Sequence, residues 1–194
     1  MSQNQLTQTR KLIYFVLEVN KTISTNNLLP SIIKFDMLSD DKIFNKIMVA
    51  IDGSKYSFKA SDYAIDIAIN QQQTDTQLIA VTVIELVKLN LGTFLAAPTY
   101  GLEDLKRRRE EAENWLRKIE KIIQDQNNNI NFKSEILENP TLKVSSLILD
   151  YAEKENVDLI VVGSRGRHGL SRLLLGSIAS DIVTYAHCPV LVIK

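Results

Sequence analysis

One cysteine, one tryptophan, four prolines and seven glycines in 194 residues leave several protein classes without the residues they need. The lone Cys188 has no partner for a disulfide within the chain, and no Cys/His cluster has the spacing of a structural zinc site. A reducing cytoplasm is the compartment expected on that ground. So little glycine and proline excludes collagen-like and low-complexity sequence. Lys plus Arg number 23 and Asp plus Glu number 23, so no global positive field exists to hold nucleic acid or an anionic membrane surface. Neither is expected as a partner, and any anion site has to be local. No apolar run approaches the roughly 20 residues that a membrane-spanning helix requires. The run from Leu12 to Val19 follows Arg10 and Lys11, but it contains Glu18 and leads into Asn20-Lys21-Thr22 rather than a small-residue cleavage site, so it does not fit a signal peptide.

What is present is ordinary globular composition, 45% hydrophobic and 24% charged, in a length that suits one domain with an appendage. Residues 1–41 are rich in Gln, Asn, Thr and Ser and read as an N-terminal extension, with the domain proper over 42–194. Within the extension, Leu12, Ile13, Phe15, Val16 and Val19 suit a short amphipathic helix docked on the domain or on a partner; a loosely ordered leader is the alternative.

From Lys46 the pattern becomes regular. Lys46-Ile-Met-Val-Ala-Ile51 is a short apolar run ending in Asp52-Gly53-Ser54, a buried strand followed by a turn and a helix cap. Phe58, Ser61, Ala64, Ile65, Ala68 and Ile69 recur at helical spacing, and residues 78–84 form a second buried strand. A long loop over 85–101 precedes a helix over 102–125 with Leu105, Ala112, Leu116, Ile119 and Ile123 on one face. Residues 132–137 make a weaker, partly polar strand near an edge. Asn139-Pro140 reads as a helix start, with Val144, Leu147, Ile148 and Tyr151 as the apolar face. Then come a strand over 157–162, a glycine-rich turn, a helix from about Ser177, and a last strand over 189–193 expected at a sheet edge, where it would pair with a second copy or, as the alternative, be covered by the N-terminal extension in a monomer. Five Val/Ile/Leu strands alternating with four helices predict an α/β fold, an open, doubly wound, five-stranded parallel sheet covered on both faces. Ligands of such sheets bind beyond the carboxyl ends of the strands, which points to residues 52–54, 83–85 and 163–169.

The segment Gly163-Ser-Arg-Gly-Arg-His-Gly-Leu-Ser-Arg-Leu-Leu-Leu-Gly-Ser177 leaves one strand and enters a helix. Glycines at 163, 166 and 169 permit positive backbone dihedrals and a close approach of ligand to backbone amides. Gly176-Ser177 repeats the device at a helix start, where unsatisfied N–H groups favour negative charge. Arg165, Arg167 and Arg172 lie in this stretch, and no Asp or Glu occurs between Leu159 and Ser180. The alternative is a glycine turn required only by a tight strand-to-helix connection. The segment is neither a P-loop nor a dinucleotide Gly-x-Gly-x-x-Gly turn.

Gly163, Gly166, Gly176 and Ser177 fit G-x2-G-x9-G-[S/T], and the pattern resembles the nucleotide-binding signature of the universal stress protein family. Val49-Ala-Ile-Asp-Gly-Ser54 and Cys188-Pro-Val-Leu-Val-Ile193 extend the resemblance over about residues 45–194. It implies strand order 3-2-1-4-5, binding of ATP with Mg2+ or Mn2+, and a homodimer paired through the last strand. It also implies that Asp52 faces ribose and phosphates, in a turn completed by Gly53 and Ser54, and that the Val83 backbone meets adenine; by its own chemistry Asp52 could bind ribose hydroxyls, hold the nucleotide-bound metal with the phosphates, or only cap the following helix. Val162 and Gly163 would line the nucleotide, Ser164 and Arg165 would belong to the loop, the amides of Gly166 and Arg167 would face phosphates, and Gly176, Ser177 and Ile178 would close around the phosphate tail. Ala179 stands where ATP-binding members often carry Ser or Thr.

The function expected from this is an ATP-dependent regulatory module of the stress response. Two alternatives are a slow ATPase or self-phosphorylating protein, with Ser164 or Ser177 as acceptor, and a nucleotide-free dimeric scaffold. No Ser/His/Asp or Cys/His set is placed for nucleophilic catalysis, so no catalytic residue is assigned. His168 reads as an exposed loop residue, His187 and Cys188 as structural, and Trp115 as core or interface. Arg107–Arg109 read as a solvated face answered by Glu110, Glu111 and Glu113.

Overall fold

The computed structural model describes residues 14–17, 44–70, 76–85, 98–126, 130–139, 142–167 and 175–194. Its elements are β1 (Tyr14–Leu17), β2 (Lys46–Ile51), α1 (Lys55–Asn70), β3 (Gln77–Ile84), α2 (Pro98–Asp125), β4 (Asn131–Glu138), α3 (Val144–Lys154), β5 (Leu159–Gly163), α4 (Ser177–Tyr185) and β6 (Val190–Ile193). Apolar runs that alternate between two covered faces build the centre of the sheet. In β2, Ile47, Val49 and Ile51 enter a cluster with Ala60, Ala64 and Ile65 of α1 and Leu116 and Ile119 of α2. Met48, pointing the other way, joins Ile148 of α3 and Ile182 of α4. Strands buried on both faces are the signature of a parallel sheet sandwiched between helices.

All strand pairs are parallel, in the order β1-β6-β5-β2-β3-β4. Leaving β1 aside, the remaining five strands follow the expected 3-2-1-4-5 order. The partly polar β4 lies at one edge, as its composition predicts. Ser54 caps α1 by accepting the Ser57 N–H on its hydroxyl at 3.2 Å.

The structure departs from the sequence expectations at three places. The segment expected as a docked helix or a loosely ordered leader forms, over Tyr14–Leu17, a strand in register with Val190–Ile193. The last strand is therefore not the sheet edge: β6 lies between β5 and β1. The outer side of β6 offers a row of main-chain donors and acceptors, and Tyr-Phe-Val-Leu is rich in strand-favouring residue types. Helix α2 begins at Pro98, inside the stretch expected as loop. Helix α3 begins at Val144 rather than at Asn139-Pro140, and the Asn139 side chain is engaged ahead of it, its Oδ1 accepting the Leu142 N–H at 3.3 Å.

Candidate functional site

In the 3-2-1-4-5 order the connections leave β2 and β5 towards opposite edges of the sheet, which opens a crevice at their carboxyl ends. A cavity of about 460 Å3 lies there. It is lined by Ala50, Ile51 and Asp52 at the end of β2, by Val81, Val83 and Ile84 of β3 with Glu85 just beyond it, and by Val162 and Gly163 of β5. Arg165, Gly166 and Arg167 lie on one side, with Gly176, Ser177, Ile178 and Ala179 at the start of α4. The wall from α2 carries Arg108, Glu111, Ala112 and Trp115.

Of the residues singled out from sequence, Asp52, Val83, Val162, Gly163, Arg165, Gly166, Arg167, Gly176, Ser177 and Ile178 thus line one cavity. Gly53, Ser54 and Ser164 do not. Gly53 has φ +78° and backs onto Trp115, where a Cβ would overlap the indole ring. The Ser54 hydroxyl is engaged in capping α1 and donates to the Arg165 carbonyl at 3.4 Å. Ser164 is fully buried, its N–H donating to the Ile193 carbonyl at 2.7 Å and its carbonyl accepting the Gly176 N–H at 2.8 Å. That burial removes Ser164 as a phosphoryl acceptor and leaves Ser177, exposed at the first position of α4. His168, Gly169 and Arg172 lie outside the described residues.

Asp52 joins the two loops. Its Oδ1 accepts the Ser54 N–H at 3.0 Å and its Oδ2 accepts the Arg167 N–H at 3.1 Å. The Arg167 amide, which the family resemblance directs at phosphate, is here directed at a carboxylate of the chain itself. At the other bend, α4 starts at Gly176 without a side-chain cap, and first-turn N–H groups have no acceptor within a helix.

Trp115 packs against the core cluster and also faces the cavity, which corrects the reading of it as core or interface alone. The Arg167 guanidinium lies 5.0 Å from the Trp115 ring centroid, a cation–π distance, and 3.8 Å from Glu111. Arg107–Arg109 of α2 find one of the expected partners, Glu111, and two that were not expected, Asp104 and Glu138. Arg107 pairs with Asp104 and Glu111, Arg108 with Asp104 at 2.6 Å, and Arg109 with Glu138 at 2.6 Å. The hydrogen bonds from Arg108 and Arg107 hold the Asp104 carboxyl below its usual range. Nothing in the local sequence distinguishes Arg108 and Glu111 from a solvated helix face; they reach the site because α2 crosses the cavity mouth. His187 and Cys188 are structural, as expected: His187 Nε2 lies 3.1 Å from the Val157 carbonyl and Cys188 is buried beside α4.

A family model for universal stress proteins matches residues 44–194. The chain belongs to the universal stress protein family. It is 34% identical over 156 residues to a universal stress protein of Methanocaldococcus jannaschii, covering 79% of this chain and 84% of the relative. It is 31% identical over 153 residues to the universal stress protein YxiE of Bacillus subtilis, covering 78% of this chain and 100% of the relative. Among solved structures, the universal stress protein UspA from Lactobacillus plantarum superposes with a TM-score of 0.69 at 26% identity, covering 79% of this chain and 100% of that one.

The glycines of this universal stress protein have different physical reasons. Neither Gly163 nor Gly166 has a positive φ, contrary to the sequence expectation. Gly163 is required by packing, since a Cβ would sit 2.8 Å from the Tyr56 backbone carbon at the start of α1. At Gly166 a Cβ would lie 2.7 Å from Asp52 Oδ2. Gly176 differs from both: its φ is −70° and the nearest heavy atom to a Cβ would be 3.6 Å away, ordinary van der Waals contact. Neither conformation nor internal packing calls for glycine there, yet the position lines the cavity. Ala179 lines the cavity and is buried in the apolar cluster that includes Ile148 and Ile182.

Proposed function

We propose that this protein binds an adenine nucleotide, ATP in the first instance, in the crevice between β2 and β5, and that occupancy sets a conformation or assembly state read by a partner in a stress response. Gly176 carries this reading. A glycine without an internal reason, at an uncapped helix start lining a cavity, suits close approach of a ligand phosphate. A volume of about 460 Å3 lies within the range of small-molecule sites. Apolar Val81, Val83, Val144 and Ile148 suit a base, while Arg165, Arg167 and Arg108 supply positive charge for phosphates. The family membership and the glycine signature support the same assignment.

Mg2+ or Mn2+ would arrive with the nucleotide and supply charge neutralisation. Among the described residues no group of three His, Cys, Asp or Glu could hold a metal alone, so Asp52 would share the ion with phosphate oxygens. No helix of the described residues is long and apolar enough to cross a membrane. The lone, buried Cys188 fits a reducing cytoplasm. Denaturing the purified protein and identifying released small molecules by mass spectrometry tests the proposal. ATP or ADP is expected in the supernatant. An empty protein that also fails to bind ATP on titration would leave the family's fold serving as an interaction scaffold.

A further inference from the structure

The Asp52 carboxylate occupies the place that an anion would take at the Gly166-Arg167 turn. Both of its oxygens are taken by backbone amides, Ser54 N–H at 3.0 Å and Arg167 N–H at 3.1 Å, one from each loop. The approach is close enough that a methyl group on Gly166 would fall 2.7 Å from Oδ2. A turn whose amide points at a carboxylate is already serving as an anion site. Among the described residues around the cavity, Arg108, Arg165 and Arg167 are matched in number by Asp52, Glu85 and Glu111. Arg167 is moreover held against Trp115 and Glu111 on the α2 wall.

Resting on the nucleotide reading above, we infer that Asp52 is an internal competitor for phosphate: its carboxylate latches the strand-end turn of β2 to the glycine turn after β5, and it must withdraw from the Arg167 amide before a phosphate can bind there. The latch makes a polyphosphate in the absence of a cation a poor ligand, because it must displace one negative group while lying beside it. The same residue stays available to the ribose, so its two roles oppose each other. Removing the carboxylate strengthens binding of phosphate alone and weakens binding of a nucleoside.

Asn at position 52 retains one acceptor oxygen for two amide donors, and Ala retains none. The test is titration calorimetry of the intact chain, Asp52→Asn and Asp52→Ala with pyrophosphate, adenosine and ATP, all with chelator present. Pyrophosphate is expected to bind both variants at least about tenfold more tightly than the unsubstituted protein, since one hydrogen bond to a charged acceptor no longer has to be broken. Adenosine is expected to bind both more weakly. In ligand-free spectra the Arg167 amide resonance is expected to move in both variants, which reports release of the latch directly. ATP binding with unchanged or weakened pyrophosphate binding in the variants would overturn the latch and leave the nucleotide site standing. Failure of all three proteins to bind any of the ligands, and to bind ATP when Mg2+ replaces the chelator, would remove the nucleotide reading and this inference together.

Discussion

At the scale of single residues, the glycines separate packing from binding. Gly163→Ala places a methyl group against the Tyr56 backbone, which cannot yield as a flexible side chain would. A loss of about 1–3 kcal/mol in chemical denaturation is expected, the usual range for forced overpacking. Gly176→Ala meets nothing closer than 3.6 Å, and its backbone already has a φ that alanine adopts. Its stability is expected to stay within about 1 kcal/mol of the parent, while ATP affinity falls at least about tenfold as the methyl group enters the phosphate path. Equal affinity in the alanine variant would mean that the α4 start does not touch the ligand. Sequence alone made these glycines visible as a set without dividing them. Spacing showed that a ligand-sized turn was present, but whether each Cβ is excluded by Tyr56, by Asp52 or by nothing in the chain depends on elements more than a hundred residues away.

At the scale of elements, long periodic segments were legible and their ends were not. Most of the face of α2 read from spacing is buried, with Ala112, Leu116, Ile119 and Ile123 in the core and Leu105, nearer the start of the helix, only half-buried. What the period could not show is that this helix also crosses the cavity, bringing Arg108, Glu111 and Trp115 to it. Asn139 is a good cap in its own neighbourhood, yet its side chain accepts the Leu142 N–H, ahead of α3. Helix α1 carries a testable electrostatic burden. Desolvation raises the Asp62 carboxyl above 3.8, with the Asp66 charge adding to the rise and Lys118 opposing it. Desolvation raises Asp66 likewise. Because both groups hold protons more tightly in the folded state, their contribution is unfavourable above the folded-state values and is relieved as the pH falls through them towards 3.8. Asp66→Asn removes one such group and unloads the other, so its melting temperature at pH 7 is expected to exceed the parent's. The advantage should shrink as the pH is lowered towards 4. An unchanged melting temperature at pH 7 would show that water screens the pair fully.

At the scale of the whole molecule, ATP is expected to stabilise the fold by mass action, with the melting temperature rising as ATP is added beyond its dissociation constant. The other molecular-scale question is how many copies associate. Family resemblance implies pairing through the last strand, but here β6 already has a neighbour on each side, β5 and β1. The sequence allowed the N-terminal extension to cover that edge, but it read the segment as a helix or a loose leader, because four residues are too few for a period and the partner strand lies at the opposite end of the chain. Four residues of parallel strand supply few hydrogen bonds against the entropy of ordering them, so β1 is a weak cover over a strongly strand-forming edge. While it is in place, a second copy cannot use that side of β6. Prolines at Phe15 and Val16 together remove two adjacent N–H groups and therefore whichever one faces β6. Sedimentation velocity over a range of concentrations is expected to give a monomer for the intact chain and a monomer–dimer equilibrium for the double-proline variant. A dimer already present in the intact chain, and unchanged by the prolines, would show that association uses another surface and that β1 has no part in it.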